Sequence, residues 1–178
     1  AAIEACSKVD LYQGPEDPSL EVGIFACGCF WGTQHQFEKI PGVVRTLAGY
    51  TGGPEENFSY ADVRDHRTHH VEAVIVEYDP KRTNYTKLCQ LFFEIHDPAQ
   101  TDGVGPDLGP QYRSCIFYRN GQQHAEAEAV ANVLRAKGDE VNTLFLPEEK
   151  FYIGEEYHQR YYEKTGGEPY CHMRVKKF

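Results

Sequence analysis

The chain has 178 residues, a formal net charge of -9, 40% hydrophobic residues and 25% charged residues. That length supports a single domain with its own core, and the acidic balance argues against nucleic-acid binding through a basic surface. No apolar run approaches the length of a membrane-spanning helix, so no membrane partner is expected. The six cysteines are too sparse for a disulfide scaffold and include no C-x-x-C pair, which weakens thioredoxin-type and zinc-ribbon readings. A cytoplasmic protein with one or two functional thiols fits best. The alternative is an exported or organellar protein whose presequence is missing from this chain, which begins at Ala1.

Residues 1–20 carry Gly14-Pro15 and Asp17-Pro18 with little periodicity, predicting an irregular surface leader. The apolar run over 22–27 predicts a first strand. Gly28-Cys29-Phe30-Trp31-Gly32 follows, and 33–40 reads as a helix with Phe37 and Ile40 on one face, stopped by Pro41-Gly42. A strand is expected over 43–50. Residues 51–70 form a long polar connection with three histidines, a length that in a compact domain is often functional. The alternating stretch 71–78 predicts a strand closed by Asp79-Pro80. Thr83 or Asn84 caps a helix to about Ile95, with Leu88, Leu91, Phe92 and Ile95 at helical spacing and Cys89 packing among them.

A second long loop spans 96–111. A strand over 112–119 ends at Asn120-Gly121. Then come an alanine-rich helix over 122–137, a strand over 141–146, a helix over 155–164, and a flexible tail over 166–178 that opens on Gly166-Gly167. The order β-α-β-β-α-β, followed by α-β-α, matches a split βαβ, ferredoxin-like unit. The fold class expected is an α/β (α+β) two-layer sandwich, with a mostly antiparallel sheet, helices on one side, and one domain over 1–178.

Cys29 stands between a strand and a helix start. Unpaired backbone N–H groups and the helix dipole there favour an anion, hence thiolate, the nucleophilic form. Phe30 and Trp31 supply an apolar wall beside it, and the flanking glycines let a substrate approach closely. Taken alone, Cys29 also fits a buried structural thiol next to core aromatics. Glu72 begins its strand among Val71, Ala73 and Val74, neighbours that can raise a carboxyl pKa and make it an acid. It also fits a solvated strand-end glutamate. Tyr50, Tyr60 and Tyr112 can donate hydrogen bonds to a polar oxygen, and Asp107 lies near Tyr112. His66, His69 and His70 with Cys27 and Cys29 invite a zinc site, but the spacings match no common pattern and no metal is expected. A cysteine hydrolase with a histidine base and a non-catalytic binding module are the competing classes.

Several stretches coincide with one family. Gly28-Cys29-Phe30-Trp31-Gly32, Gly49-Tyr50-Thr51-Gly52-Gly53, Asn57-Phe58-Ser59-Tyr60 and His70-Val71-Glu72-Ala73-Val74 are four of them. Further along come 93–98, Gly105-Pro106-Asp107-Leu108-Gly109, Gln111-Tyr112-Arg113-Ser114 and Glu155-Glu156-Tyr157-His158-Gln159. In this order, over 22–165, the chain resembles the peptide methionine sulfoxide reductases of the A type. The resemblance implies an elaborated ferredoxin-like fold and one catalytic domain. It implies thiol-dependent reduction of the S epimer of methionine sulfoxide, free or in proteins, through a cysteine sulfenic acid, as repair of oxidative damage.

By motif, Cys29 would be the nucleophile, and Phe30 and Trp31 would hold the substrate methyl group. Tyr60 and Tyr112 would bind the sulfoxide oxygen, Glu72 would protonate it, and Asp107 would position the polar network. Cys171 matches a resolving thiol in the tail. No bound cofactor is implied. An external thiol such as thioredoxin or dithiothreitol would serve as reductant, and a monomer is expected. Cys27 and His69 stand where the family usually has glycine, and Cys115 where alanine is common. No role is assigned to Cys6, Cys27, Cys89 or Cys115, and the tail ends seven residues after Cys171.

Overall fold

The computed structural model of the protein describes residues 10–56, 58–65, 67–104, 107–166 and 174–178. The elements are β1 (Asp10–Leu11), β2 (Glu21–Cys27), α1 (Phe30–Glu38), β3 (Val43–Thr51), α2 (Tyr60–Arg64), β4 (Val71–Tyr78) and α3 (Tyr85–Glu94). They continue with β5 (Gly103–Val104), β6 (Asp107–Leu108), β7 (Ser114–Tyr118), α4 (Gly121–Ala136), β8 (Leu144–Pro147), β9 (Tyr152–Ile153) and α5 (Tyr161–Thr165). Seven strands form a mixed sheet in the order β1-β9-β3-β4-β2-β7-β8, and β5 and β6 form a small hairpin. β4 lies antiparallel between β2 and β3, which makes the β2-α1-β3 crossover a split βαβ unit. Among the described residues only the β7–β8 pairing is parallel. Among the described residues no helix is long and apolar enough to cross a membrane.

Successive strand residues face opposite sides of a sheet, and the two sides differ here. Phe25, Cys27, Ala48, Tyr50, Val74, Val76 and Ile116 face the helices and join Phe37, Leu88, Phe92, Ala131 and Leu134 in the larger core. Val22, Ile24, Ala26, Ala73, Ile75 and Phe117 face the other way and are covered by Phe151 and Tyr12. Helices therefore cover one side, as the periodicity predicts. The alternation of β4 puts Glu72 on the helix side, in line with Val74 and Val76 and opposite Tyr50 on β3. A carboxyl is thus carried into the layer between sheet and helices at the strand's first turn.

The structure departs from the expected elements at several places. The first helix begins at Phe30, not at 33, because Gly28 turns the chain at φ +92° and lets the helix start at once. The 51–70 connection contains α2, held by a capping box in which the Ser59 side chain accepts from Asp62 N–H and Asp62 accepts from Ser59 N–H. The last expected strand runs over Leu144–Pro147 rather than 141–146, since Asn142 N–H is taken by Pro98 C=O. The strand expected from residue 112 starts at Ser114, after a 3-10 turn at Pro110–Tyr112.

The helix expected over 155–164 is divided into a 3-10 turn at Glu156–His158 and the short α5. Between them the Gln159 side chain donates to Ala48 C=O and accepts from Ala48 N–H, at 2.8 and 2.9 Å, in place of a strand partner. Arg160 then adopts the left-handed φ of 53°, with its N–H donated to Gln34 Oε1 at 2.8 Å. The leader is not irregular throughout, since Asp10–Leu11 pairs with β9 at the sheet edge. Nor is all of the tail loose. Arg174 donates to Glu94 Oε1 at 2.9 Å, Val175 N–H to Glu94 C=O at 2.8 Å, and Lys177 N–H to Glu94 Oε2 at 2.9 Å, all on the buried end of α3.

Candidate active site

Cys29 is the N-cap residue of α1 and is 7% exposed. The preceding Gly28 packs so closely on β5 that an added Cβ would lie 2.8 Å from Val104 Cβ. The turn is therefore fixed by its glycine twice, through φ and through contact. The first N–H of the helix, on Phe30, donates to Glu72 Oε1 at 3.3 Å. One helix terminus thus gathers the sulfur and a carboxyl that is only 1% exposed. Removing water costs a carboxylate more than a carboxylic acid, whereas helix N–H donors favour the anion. A carboxyl between those influences is suited to give up and retake a proton.

The apolar wall is built as the sequence predicts. The Phe30 ring lies 5.5 Å from that of Tyr50 and 6.4 Å, stacked, from that of Tyr60. Trp31 is half-buried and stacks on Tyr161 at 3.8 Å and 10°. Tyr60 opens α2. Burial first, then the neighbouring Glu72 and Cys29, hold its hydroxyl well above the ordinary tyrosine value, so it remains a proton-bearing donor. Cys29, Phe30, Trp31, Tyr60 and Glu72 are therefore brought together. Tyr112 ends the 3-10 turn Pro110–Tyr112, which packs on β4, the strand of Glu72. Asp107 pairs in register with Val104, the residue against Gly28. Cys171 and Cys6 lie outside the described residues.

The other candidates are not brought to this point. Cys27, Cys89 and Cys115 are buried thiols, pushed up to about 12, well above 9 and up to about 12 respectively, each chiefly by burial. His70 is buried in the 51–70 connection, where Gly53 N–H donates to its Nδ1 at 3.2 Å and its Nε2 lies 2.8 Å from Glu55 C=O. His69 is exposed and lies 2.7 Å from Glu55 Oε1. His66 is outside the described residues, among which no cluster of His, Cys, Asp and Glu could hold a metal ion. A cleft of about 370 Å³ lined by Glu21, Tyr78, Arg119 and Gln123 lies at the far end of β2 and shares no residue with this group.

Two residues at the centre of the site have no role in the sequence reading. His158 is fully buried, and its Nδ1 accepts the Trp31 indole N–H at 2.9 Å. Its ring lies 5.1 Å from Phe30 and 4.2 Å from Tyr60. Burial lowers its pKa from 6.5 to about 4, so the imidazole is neutral at pH 7. Glu155 accepts the Tyr50 hydroxyl at 2.9 Å and Tyr60 N–H at 3.0 Å, and it lies 3.4 Å from His158 Nε2. With its Nδ1 taken by the Trp31 indole and its Nε2 beside Glu155, His158 is not placed as the base of a cysteine hydrolase. The signal was present in Glu155-Glu156-Tyr157-His158-Gln159, a stretch that matches the family without indicating what its residues touch.

A family model described as peptide methionine sulfoxide reductase matches residues 21–178. The peptide methionine sulfoxide reductase MsrA of Methanosarcina acetivorans is 43% identical over 160 residues, covering 88% of this chain and 85% of that one. Among solved structures, Mxr1 from Saccharomyces cerevisiae in reduced form superposes with a TM-score of 0.82 at 32% identity, over 92% of this chain and 96% of that one. Mxr1 in complex with Trx2 gives a TM-score of 0.61 at 25% identity, over 93% and 96% of the two chains.

Proposed function

The chain belongs to the peptide methionine sulfoxide reductase family, and from that premise we propose that it reduces the S epimer of methionine sulfoxide, free or in proteins, at Cys29. The observation that carries the reading is the meeting of Cys29 and the buried Glu72 at the first N–H of α1. A sulfoxide oxygen leaves only when protonated. In this reading the substrate methyl sits against Phe30 and Trp31, and its oxygen accepts hydrogen bonds from the Tyr60 and Tyr112 hydroxyls. Glu72 delivers a proton to that oxygen as the Cys29 thiolate attacks sulfur. The S–O bond and the transient sulfur–sulfur bond then break as the hydroxyl passes to the Cys29 sulfur, so methionine leaves and the oxygen ends on Cys29 as a sulfenic acid. Asp107 orders the polar groups around the oxygen.

The cycle closes when a second thiol attacks the sulfenic sulfur, releasing water and forming a disulfide that a dithiol then reduces. Cys171 is the proposed intramolecular thiol and a thioredoxin-like protein the proposed reductant, with dithiothreitol as its laboratory substitute. The Mxr1–Trx2 complex of a structural relative supports a thioredoxin partner.

The test is reduction of the two purified methionine sulfoxide epimers with dithiothreitol as donor. The S epimer should be consumed to completion and the R epimer left. Repeated turnover in the absence of any added thiol, or equal loss of both epimers, would overturn the reading.

A further inference from the structure

Glu155 is 7% exposed and takes no direct part in the reaction described above. Its two oxygens nevertheless meet three separate parts of the site. Oε1 accepts the backbone N–H of Tyr60, the first residue of α2, at 3.0 Å. Oε2 accepts the Tyr50 hydroxyl at 2.9 Å and lies 3.4 Å from His158 Nε2. Tyr50 is paired across the ladder with Glu72, and its ring lies beside Phe30. A neutral imidazole that accepts the Trp31 N–H on Nδ1 must carry its own proton on Nε2. That nitrogen lies 3.4 Å from Glu155 Oε2 without a hydrogen bond to it.

We propose that Glu155 is a positioning residue for sulfoxide reduction. It fixes the start of α2, and with it the Tyr60 hydroxyl. Its Oε2, 3.4 Å from His158 Nε2, also favours the His158 tautomer that accepts the Trp31 indole N–H. The inference rests on the roles given above to Tyr60 and Trp31.

The chemistry requires an acceptor at both oxygens, because the Tyr60 N–H donates to one and the Tyr50 hydroxyl to the other, with His158 Nε2 nearby at 3.4 Å. Glutamine has the same shape but presents two donors on one side. One orientation sets an amide donor against the Tyr60 N–H; the other lets the Tyr50 hydroxyl turn to accept, but points an amide N–H toward His158 Nε2, where Glu155 Oε2 now lies 3.4 Å away. Neither orientation serves all three groups as the carboxyl does. A merely structural carboxyl would disturb stability without altering the geometry of Tyr60 and Trp31. A positioning carboxyl moves both, and a displacement of about 1 Å at reacting groups costs on the order of 100-fold in rate.

The experiment compares Glu155→Gln, Tyr60→Phe and the double variant in single-turnover methionine formation from the S sulfoxide. Far-UV circular dichroism checks the fold. The indole N–H resonance of Trp31 is read by nuclear magnetic resonance, and it is unambiguous because the chain has one tryptophan. Glu155→Gln should keep the fold, slow the step about 10- to 100-fold, and shift the indole resonance. Its cost should shrink several-fold in the Tyr60→Phe background, since residues acting through one another are not additive. An equal cost in both backgrounds with an unmoved indole resonance would overturn the inference. A Tyr60→Phe variant as fast as the parent would instead refute the role of Tyr60, and the indole shift alone would then judge Glu155. Should Glu155→Gln not fold, Tyr50→Phe removes one donor and leaves the carboxyl. It should shift the same resonance, and no shift would overturn the inference.

Discussion

Protonation of His158 is expected to destabilise the protein in a defined pH window. The imidazole has an ordinary value near 6.5 in the unfolded chain, and burial lowers it to about 4 in the folded one. Glu155 lies 3.4 Å away but is already engaged by Tyr50 and Tyr60, so burial prevails. Above pH 6.5 both states are neutral, and the full stability is present. Between 6.5 and 4 the unfolded chain binds a proton that the folded chain refuses, so stability falls as the pH falls. Below 4 both states are protonated and the loss is complete. The 2.5-unit difference corresponds to about 3 kcal/mol in all. The cause is local, because a protonated ring has no lone pair for the Trp31 indole.

Urea unfolding followed by circular dichroism at pH 7.5, 6.5, 5.5 and 4.5 measures the effect in the parent and in His158→Gln. Glutamine keeps an acceptor for the indole without titrating, and other titrating groups cancel in the comparison. The parent should lose about 1.4 kcal/mol per pH unit more than the variant inside the window. A parent–variant difference constant to within about 0.5 kcal/mol from pH 7.5 to 4.5, a tolerance set by the extrapolation error of urea unfolding, would refute the reasoning.

Four further outcomes are expected. Cys29→Ser should abolish sulfoxide reduction with the fold intact, and retention of more than roughly a tenth of the rate would sink its role as nucleophile. Glu72→Gln should slow single-turnover sulfenic acid formation about 10²- to 10⁴-fold with substrate binding little changed; an unchanged rate would make Glu72 a structural residue. Gly28→Ala forces a Cβ to 2.8 Å from Val104 Cβ at φ +92°, and should cost about 1–3 kcal/mol of stability in urea unfolding, with parent-like stability counting against the rigid turn. Cys171→Ser should still convert one equivalent of substrate but fail to recycle with thioredoxin, while the parent loses two thiols per turnover without reductant. Recycling at the parent rate would point to direct attack on Cys29 by the external thiol.

The parts of this protein that were legible in the sequence are those governed by local pattern. The apolar run over 22–27 and the alternation along 71–78 placed β2 and β4, and the spacing of Leu88, Leu91, Phe92 and Ile95 placed α3. The short elements were not legible. Five residues of α2 and two of β9 carry too little periodicity, and both exist because distant groups hold them: Glu155 on the N-terminus of α2, and β3 and β1 on either side of β9. The site divides in the same way. Cys29 was visible because its turn is written in adjacent residues. Glu72 was named as a candidate acid, but its burial was not legible, since that depends on α1 packing over β4, a contact across 42 positions of sequence. His158 gave no local sign either. Its pKa and its partners are set by Phe30, Trp31 and Tyr60, more than 90 residues upstream.

Residue type alone would not choose between the two thiols at Cys27 and Cys29. Both lie on one short stretch, and one hydroxyl touches both residues: Thr33 Oγ1 donates to Cys29 C=O at 3.2 Å and lies 3.2 Å from Cys27 Sγ. Their environments separate them. Cys27 is the last residue of β2, with its side chain turned into the helix-side core and no exposed surface. Burial pushes its thiol up to about 12, against the opposing pull of Thr33, and a group that stays protonated is a poor nucleophile. Between the two, Gly28 reverses the backbone at φ +92° and lifts the chain out of the sheet. Cys29 is thereby delivered to the N-terminus of α1, where the first helix N–H donates to the buried Glu72 carboxyl. The proposed nucleophile is therefore specified by the turn more than by the cysteine. A thiol two residues earlier shares its neighbours and its sequence context, yet packs as a small hydrophobic side chain.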